Sequence, residues 1–101
     1  MRTIASVRLD KHRPALVLTR QSKRHLLTWV TVAPITSTIR GLTSEVQVGP
    51  RNGLDHDSVV SCDTITTVPI SNVGETIGLL FGDQESALAR AIGDAFDLEL
   101  I

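Results

Sequence analysis

Aromatic residues are scarce in this 101-residue chain: one tryptophan (Trp29), two phenylalanines (Phe81, Phe96) and no tyrosine. A core so short of rings must be packed with Val, Ile, Leu and Ala, and the β-branched share of that set favours pleated sheet. Cysteine is scarcer still. Cys62 cannot form an internal disulfide, and in the run Ser58-Val59-Val60-Ser61-Cys62 it reads as a small apolar packing residue rather than a nucleophile. One cysteine and three scattered histidines offer none of the ligand spacings of zinc sites, so no metal is expected. Neither G-x-G-x-x-G nor G-x-x-x-x-G-K-S/T occurs, which removes nucleotide-cofactor chemistry, and no cofactor is expected. The longest stretch free of Asp, Glu, Lys and Arg, His25 to Ile39, has 15 residues and contains four threonines. It is too short and too polar to span a bilayer. The first residues, interrupted by Arg2, Arg8 and Asp10, lack the apolar run of a secretory signal, so a cytoplasmic location without membrane contact is expected.

What is present is enough apolar material, 42% of the chain, for one core and not two. Residues 1–101 are therefore read as a single domain. The net charge of −1 conceals a division. Up to Arg51 the chain has nine basic residues against two acids, Asp10 and Glu45, a local charge of +7. Beyond it, Arg90 stands against nine acids, a local charge of −8. Such asymmetry points to a polyanionic partner for the first half.

Short apolar or alternating runs, punctuated by Gly, Pro and Asn, predict strands at Thr3–Leu9, Pro14–Thr19, Leu26–Ala33, Ser44–Val48, Ser58–Cys62, Thr64–Val68 and Thr76–Phe81. Pro14, unable to donate to a ladder, should open its strand with Arg13 at the mouth, and Pro34 should end the third. Arg20 to His25 reads as a polar basic loop, Ile35 to Gly41 as a hydroxyl-rich loop, and Trp29 as a core residue. Asp83 is a good N-cap, and Leu88, Ala91, Ile92, Ala95 and Phe96 recur at helical spacing, predicting an amphipathic helix from Asp83 to about Asp97. The fold class expected is mainly β (α+β): a small, strongly curved antiparallel sheet, an SH3-like half-open barrel, with a C-terminal helix.

Two motifs hold a polar group beside a proline at a strand end: Arg13-Pro14-Ala15-Leu16-Val17-Leu18 and Val32-Ala33-Pro34-Ile35-Thr36-Ser37. A rigid scaffold holds reactive groups in this way. Together with Arg40-Gly41-Leu42, Gly53-Leu54 leading into Asp57-Ser58-Val59-Val60, Asp63-x-Ile65-x-Thr67-Val68, Ile77-Gly78 and the final helix, they make the chain resemble the MazF/PemK/Kid toxins, endoribonucleases of toxin–antitoxin pairs, in their larger family with CcdB. The resemblance covers nearly the whole chain.

It implies metal-independent, sequence-specific cleavage of single-stranded RNA, with the ribose 2′-OH as nucleophile and a 2′,3′-cyclic phosphate and a 5′-OH as products. The family's catalytic arginine and threonine map to Arg13 and Thr36. A guanidinium fork matches non-bridging phosphate oxygens, and a threonine hydroxyl can donate to the same atoms. An arginine does not titrate near neutrality, so electrostatic stabilisation of the phosphorane is its main expected role. His12 competes as general base by residue type, more than His25 or His56 do, although neighbouring strand residues point to opposite sides. RNA contacts are expected from Ser37, Thr38, Arg40 and Thr64, which stands where the family often has a base-reading Gln, and from Lys11, His12, Arg20, Lys23 and Arg24. A homodimer and a MazE-like antitoxin with a flexible acidic segment are the implied partners. The turn before Arg13 is shorter than in longer members, whose loop there contacts RNA. A CcdB-like gyrase poison and a non-catalytic RNA-binding barrel are the competing readings, separable by assaying cleavage.

Overall fold

The computed structural model describes residues 1–99 and contains seven strands and one α-helix. The strands are β1 (Arg2–Arg8), β2 (His12–Val17), β3 (Trp29–Thr36), β4 (Glu45–Val48), β5 (Ser58–Ser61), β6 (Thr66–Pro69) and β7 (Val73–Leu80), and the helix α1 is Glu85–Ala95. They pair antiparallel in the order β4-β5-β3-β2-β1-β7, with β6 also on β3. β6 and β7 lie on opposite edges of the β3-β2-β1 block yet are joined only by the single 3₁₀ turn Ile70–Asn72. The sheet must curl for so short a link to span it, which gives the half-open barrel.

The pleat sorts successive side chains between two cores. On β1, Ile4 belongs to one cluster and Ala5 and Val7 to the other; on β2, Leu16 belongs to the first and Ala15 and Val17 to the second. The first cluster adds Val46, Val60, Cys62 and the helix residues Leu88 and Ala91, so α1 covers this face. The second, with Val30, Val32 and Val68, lies within the curl. Both faces of β1–β3 are thus apolar, and each fully buried Val, Leu or Ile contributes about 1.5–3 kcal/mol.

Several expectations are corrected by the tertiary context. β3 runs through Pro34 instead of stopping there. The ladder to β6 ends at Val32 and the ladder to β5 begins at Ile35, so the proline occupies the changeover, where that edge has no ladder to break. Pro14 likewise lies inside β2, because pairing with β3 starts only at Ala15. Arg20 to His25 is not an open loop: Gln21–Leu26 forms a 3₁₀ turn that displaces the start of β3 to Trp29. Trp29 is 56% exposed and not a core residue, since it stands at the strand end beyond the reach of either cluster. Residues Cys62–Thr64 form another 3₁₀ turn before β6, and β7 begins at Val73, three residues earlier than expected.

The helix also starts later than expected. A 3₁₀ turn, Gly82–Gln84, precedes it, and the Asp83 carboxylate accepts from the Arg51 guanidinium (3.0 and 3.1 Å) instead of capping. Gln84 serves the helix start, its Oε1 accepting from the Phe81 N–H at 3.0 Å. The last turn ends before Asp97, at a φ of 56°, and Phe96 turns outward. Among the described residues, no helix is long and apolar enough to cross a membrane.

Candidate active site

Register and pleat bring Arg13 and Thr36 together. Ala15 pairs with Pro34 and Val17 with Val32, and carrying that register two residues on sets Arg13 opposite Thr36. Arg13 shares its face of β2 with Ala15 and Val17, and Thr36 shares its face of β3 with Val32 and Val30, all of one cluster. Opposed residues on one face of an antiparallel pair have Cβ atoms about 5 Å apart. The two side chains also form a common wall between two hollows. One, of about 470 Å³, is completed by Asp10, Thr38, Arg40, Glu45, Asp63 and Thr64. The other, of about 270 Å³, is completed by Lys11, His12, Ser37, Asp55, His56 and Ser58.

The Arg13 guanidinium is presented by the hairpin turn Leu9–Lys11, in which the Leu9 N–H donates to the Lys11 carbonyl at 3.0 Å. Asp10 in that turn takes Nε (2.8 Å) and Nη2 (3.1 Å) of Arg13. This pairing holds the Asp10 carboxyl well below the usual carboxylate range and raises the Arg13 pKa further above neutrality. The Arg13 side chain nevertheless remains 37% exposed, so its remaining donors are accessible. Thr36 is oriented from the other side. Its Oγ1 accepts from the Thr38 N–H at 3.1 Å, which leaves the hydroxyl proton free to donate.

The loop after β3 is held by Glu45. One carboxylate oxygen accepts from the backbone N–H groups of Gly41 (2.9 Å), Leu42 (3.1 Å) and Arg40 (3.3 Å), folding the loop against β4. Gly41, at φ 75°, supplies the left-handed residue that lets consecutive N–H groups converge. Glu45→Ala removes this anchor and is expected to cost about 1–2 kcal/mol, by analogy with loss of a helix cap. Limited trypsin digestion checks it: cleavage after Arg40 should precede all other cuts in the variant and not in the parent. On the far wall, Ser44 Oγ donates to Asp63 Oδ2 at 2.5 Å. The adjacent Cys62 is fully buried, and burial, with the Asp63 charge second, pushes its thiol up to about 11. A thiol so placed is neutral at pH 7 and not a nucleophile.

Eight of the eleven residues singled out from sequence meet here. Arg13 and Thr36 line both hollows, Thr38, Arg40 and Thr64 the larger, and Lys11, His12 and Ser37 the smaller. His12 and Arg13 do diverge, only Arg13 reaching the larger hollow. Arg20, Lys23 and Arg24 are not brought to this place. They precede the start of β3, roughly 20 Å from Thr36 along that strand. Arg24 is also occupied, donating to the Thr19 carbonyl and Thr3 Oγ1 at 3.2 and 3.3 Å. Asp10, Glu45, Asp63 and His56 are the site residues that sequence reasoning did not select. For the first two a signal existed: they are the only acids in the basic half of the chain.

Similarity to known proteins agrees with this geometry. The profile of the family described as "PemK-like, MazF-like toxin of type II toxin-antitoxin system" matches residues 5–96. The chain is 55% identical over 101 residues to "Endoribonuclease MazF3" of Mycobacterium tuberculosis, covering all of this chain and 98% of that one. It is 34% identical over 86 residues to "Probable endoribonuclease MazF5" of the same organism, covering 84% of this chain and 79% of the other. The solved structure "Mycobacterium tuberculosis toxin MazF-mt6" superposes with a TM-score of 0.95 at 55% identity, covering 97% and 99% of the two chains. A mycobacterial "Endoribonuclease in complex with its cognate antitoxin" shares the fold, with a TM-score of 0.86 at 20% identity. On the profile match over nearly its whole length and on these relatives, the chain belongs to the PemK-like, MazF-like toxin family of type II toxin–antitoxin systems.

Proposed function

We propose that this protein is a sequence-specific, metal-independent endoribonuclease toxin that cleaves single-stranded RNA by attack of a ribose 2′-OH, leaving a 2′,3′-cyclic phosphate and a 5′-OH. The observation that carries the reading is the wall shared by the two hollows, where the Arg13 fork and the Thr36 hydroxyl face one position. A phosphate seated over that wall, with its flanking nucleotides in the hollows, has its non-bridging oxygens within reach of both. Attack by the 2′-oxygen expels the 5′-oxygen through a pentacoordinate phosphorane with additional negative charge on those oxygens. Fixed donors aimed at that charge lower the barrier. Proton transfer to and from the ribose oxygens falls to other groups, and the smaller hollow holds two imidazoles, His12 and His56, the residue type suited to it.

Cleavage of messenger and other single-stranded RNA would arrest translation and growth. The 55%-identical relative carries the name endoribonuclease, and distant structural neighbours include MazE–MazF pairs. The partners are accordingly a cognate MazE-like antitoxin, whose flexible acidic segment competes with RNA, and a second copy of this chain. The large exposed apolar residues Trp29, Ile39, Leu42 and Phe96 support burial of a face in a homodimer.

Incubating purified protein with a long single-stranded RNA in EDTA tests the chemistry. Discrete cuts are expected, with downstream fragments that polynucleotide kinase labels without prior phosphatase treatment. Cleavage that requires added Mg²⁺, or no cleavage across diverse RNAs, rejects the reading. Thr36→Ala should slow cutting about 10- to 100-fold, whereas Thr36→Ser keeps a donor at the same place and should stay much closer to the parent.

A further inference from the structure

Asp10 is an acid in a place where a polyanion is expected to bind. In the first half of the chain it is one of two acids among nine cations, and it lines the larger hollow beside Arg13. A carboxylate there weakens attraction for RNA, so its contribution must lie elsewhere than in affinity. Its geometry identifies that contribution. An arginine has five N–H donors, and Asp10 takes two on one side of the fork, Nε at 2.8 Å and Nη2 at 3.1 Å. The other three, two on Nη1 and one on Nη2, remain. One from each nitrogen points outward in parallel, the pair that matches two non-bridging phosphate oxygens.

We propose that Asp10 is a positioning residue for Arg13: it holds the Nε–Nη2 side of the guanidinium so that the Nη1–Nη2 end faces the scissile phosphate. The proposal rests on the reading of Arg13 as the group that touches that phosphate. Asp10 is itself well placed to do this. It sits in a three-residue turn closed by the Arg8–His12 pairing and the Leu9–Lys11 hydrogen bond. The Arg13 charge keeps the carboxylate ionised throughout the pH range in which an RNA nuclease works. A plug that blocks the site would occupy the end of the fork, whereas Asp10 lies along its side and leaves the end open.

The test is cleavage kinetics in EDTA for the parent, Asp10→Ala, Asp10→Asn and Arg13→Ala, on an oligonucleotide spanning a mapped cut site. Asp10→Ala is expected to lower kcat about 10- to 100-fold, the cost of a misplaced catalytic group. KM should stay level or fall, because a negative charge has left the groove. Asp10→Asn retains one acceptor for the fork and should lie between. A kcat equal to the parent's overturns the proposal, as does a loss confined to KM. A rise in kcat/KM overturns it in favour of the plug. Undiminished activity of Arg13→Ala overturns the reading of Arg13 itself, whereas an inactive Arg13→Ala beside an Asp10→Ala of parental kcat removes only the role of Asp10. Thermal melts verify folding, and if Asp10→Ala is unfolded the same comparison is made with Asp10→Asn.

Discussion

Arg13→Ala is expected to reduce RNA cleavage by about 10²–10³-fold, the usual consequence of removing one preorganised donor from a transition state that develops negative charge. The stability of the protein should hardly change. Arg13 makes no contact deeper than the exposed pair with Asp10, and exposed pairs contribute little to folding. A lost rate beside an unaltered melting curve therefore separates chemistry from structure. Arg13→Lys sharpens the result. It keeps the charge and loses the fork, so if two parallel donors matter it should resemble alanine more than the parent. Initial rates on a fluorogenic single-stranded RNA in EDTA, with melting followed by circular dichroism, measure both quantities. Activity of Arg13→Ala within a few-fold of the parent would remove Arg13 from the site.

The second large effect is on folding, and it comes from a place with no chemistry. The 3₁₀ turn Pro50–Asn52 crosses β7 where Gly78 pairs with Ile4. A Cβ on Gly78 would overlap the Asn52 carbonyl, and Gly53, at φ 92°, would set its own Cβ 2.5 Å from the Ile77 carbonyl. Two backbones touch here with no side chain between them. The crossing is fixed by Asn52, which is 1% exposed. Its amide accepts from the Gly49 N–H (3.1 Å) and donates to the Leu79 carbonyl (2.9 Å) and Gln84 Oε1 (2.7 Å), tying the turn to both β7 and the helix start. Gly78→Ala must separate these chains and is expected to destabilise by about 3 kcal/mol. For a domain of this size that lowers the melting temperature by on the order of 15 °C. Gly82→Ala is the control. Its Cβ would meet nothing within 4 Å and its φ is ordinary, so the melting temperature should not fall. Similar melting curves for the two variants would mean that the crossing is not as tight as described.

The strands and both site residues were legible in the sequence because they rest on local signals. Alternation at residues 3–9 and 58–62 and β-branched density near residue 30 mark strands wherever they end up, and the proline-flanked Arg13 and Thr36 follow from motif. The failures share one physical cause: the deciding partner is distant in sequence. Pro34 stays in its strand because β3 exchanges β6 for β5 beside it. Trp29 is exposed because a 3₁₀ turn uses up the residues that would have carried it inward. Asp83 does not cap because Arg51, thirty-two positions earlier, takes its carboxylate. The basic segment of Arg20, Lys23 and Arg24 carried charge but not position, and the strand geometry put it at the wrong end. Asp10 and Glu45 looked like dilutions of a basic region; each is occupied inside the site, one by a guanidinium and one by a row of backbone N–H groups.

The changeover at Pro34 has a consequence for how the active site keeps its dimensions. Arg13 stands on a strand of the curled sheet, and Thr36 stands past the point where β3 has passed to β5 and β4, so the seam between the two sheets runs between fork and hydroxyl. Neither sheet alone determines their separation. It is set by the backbone torsions of the few residues that cross the seam, and one of those torsions is locked by the pyrrolidine ring. The proline acts as a gauge block: an ordinary residue in its place could leave every ladder paired and still let the gap across which the phosphate is held drift.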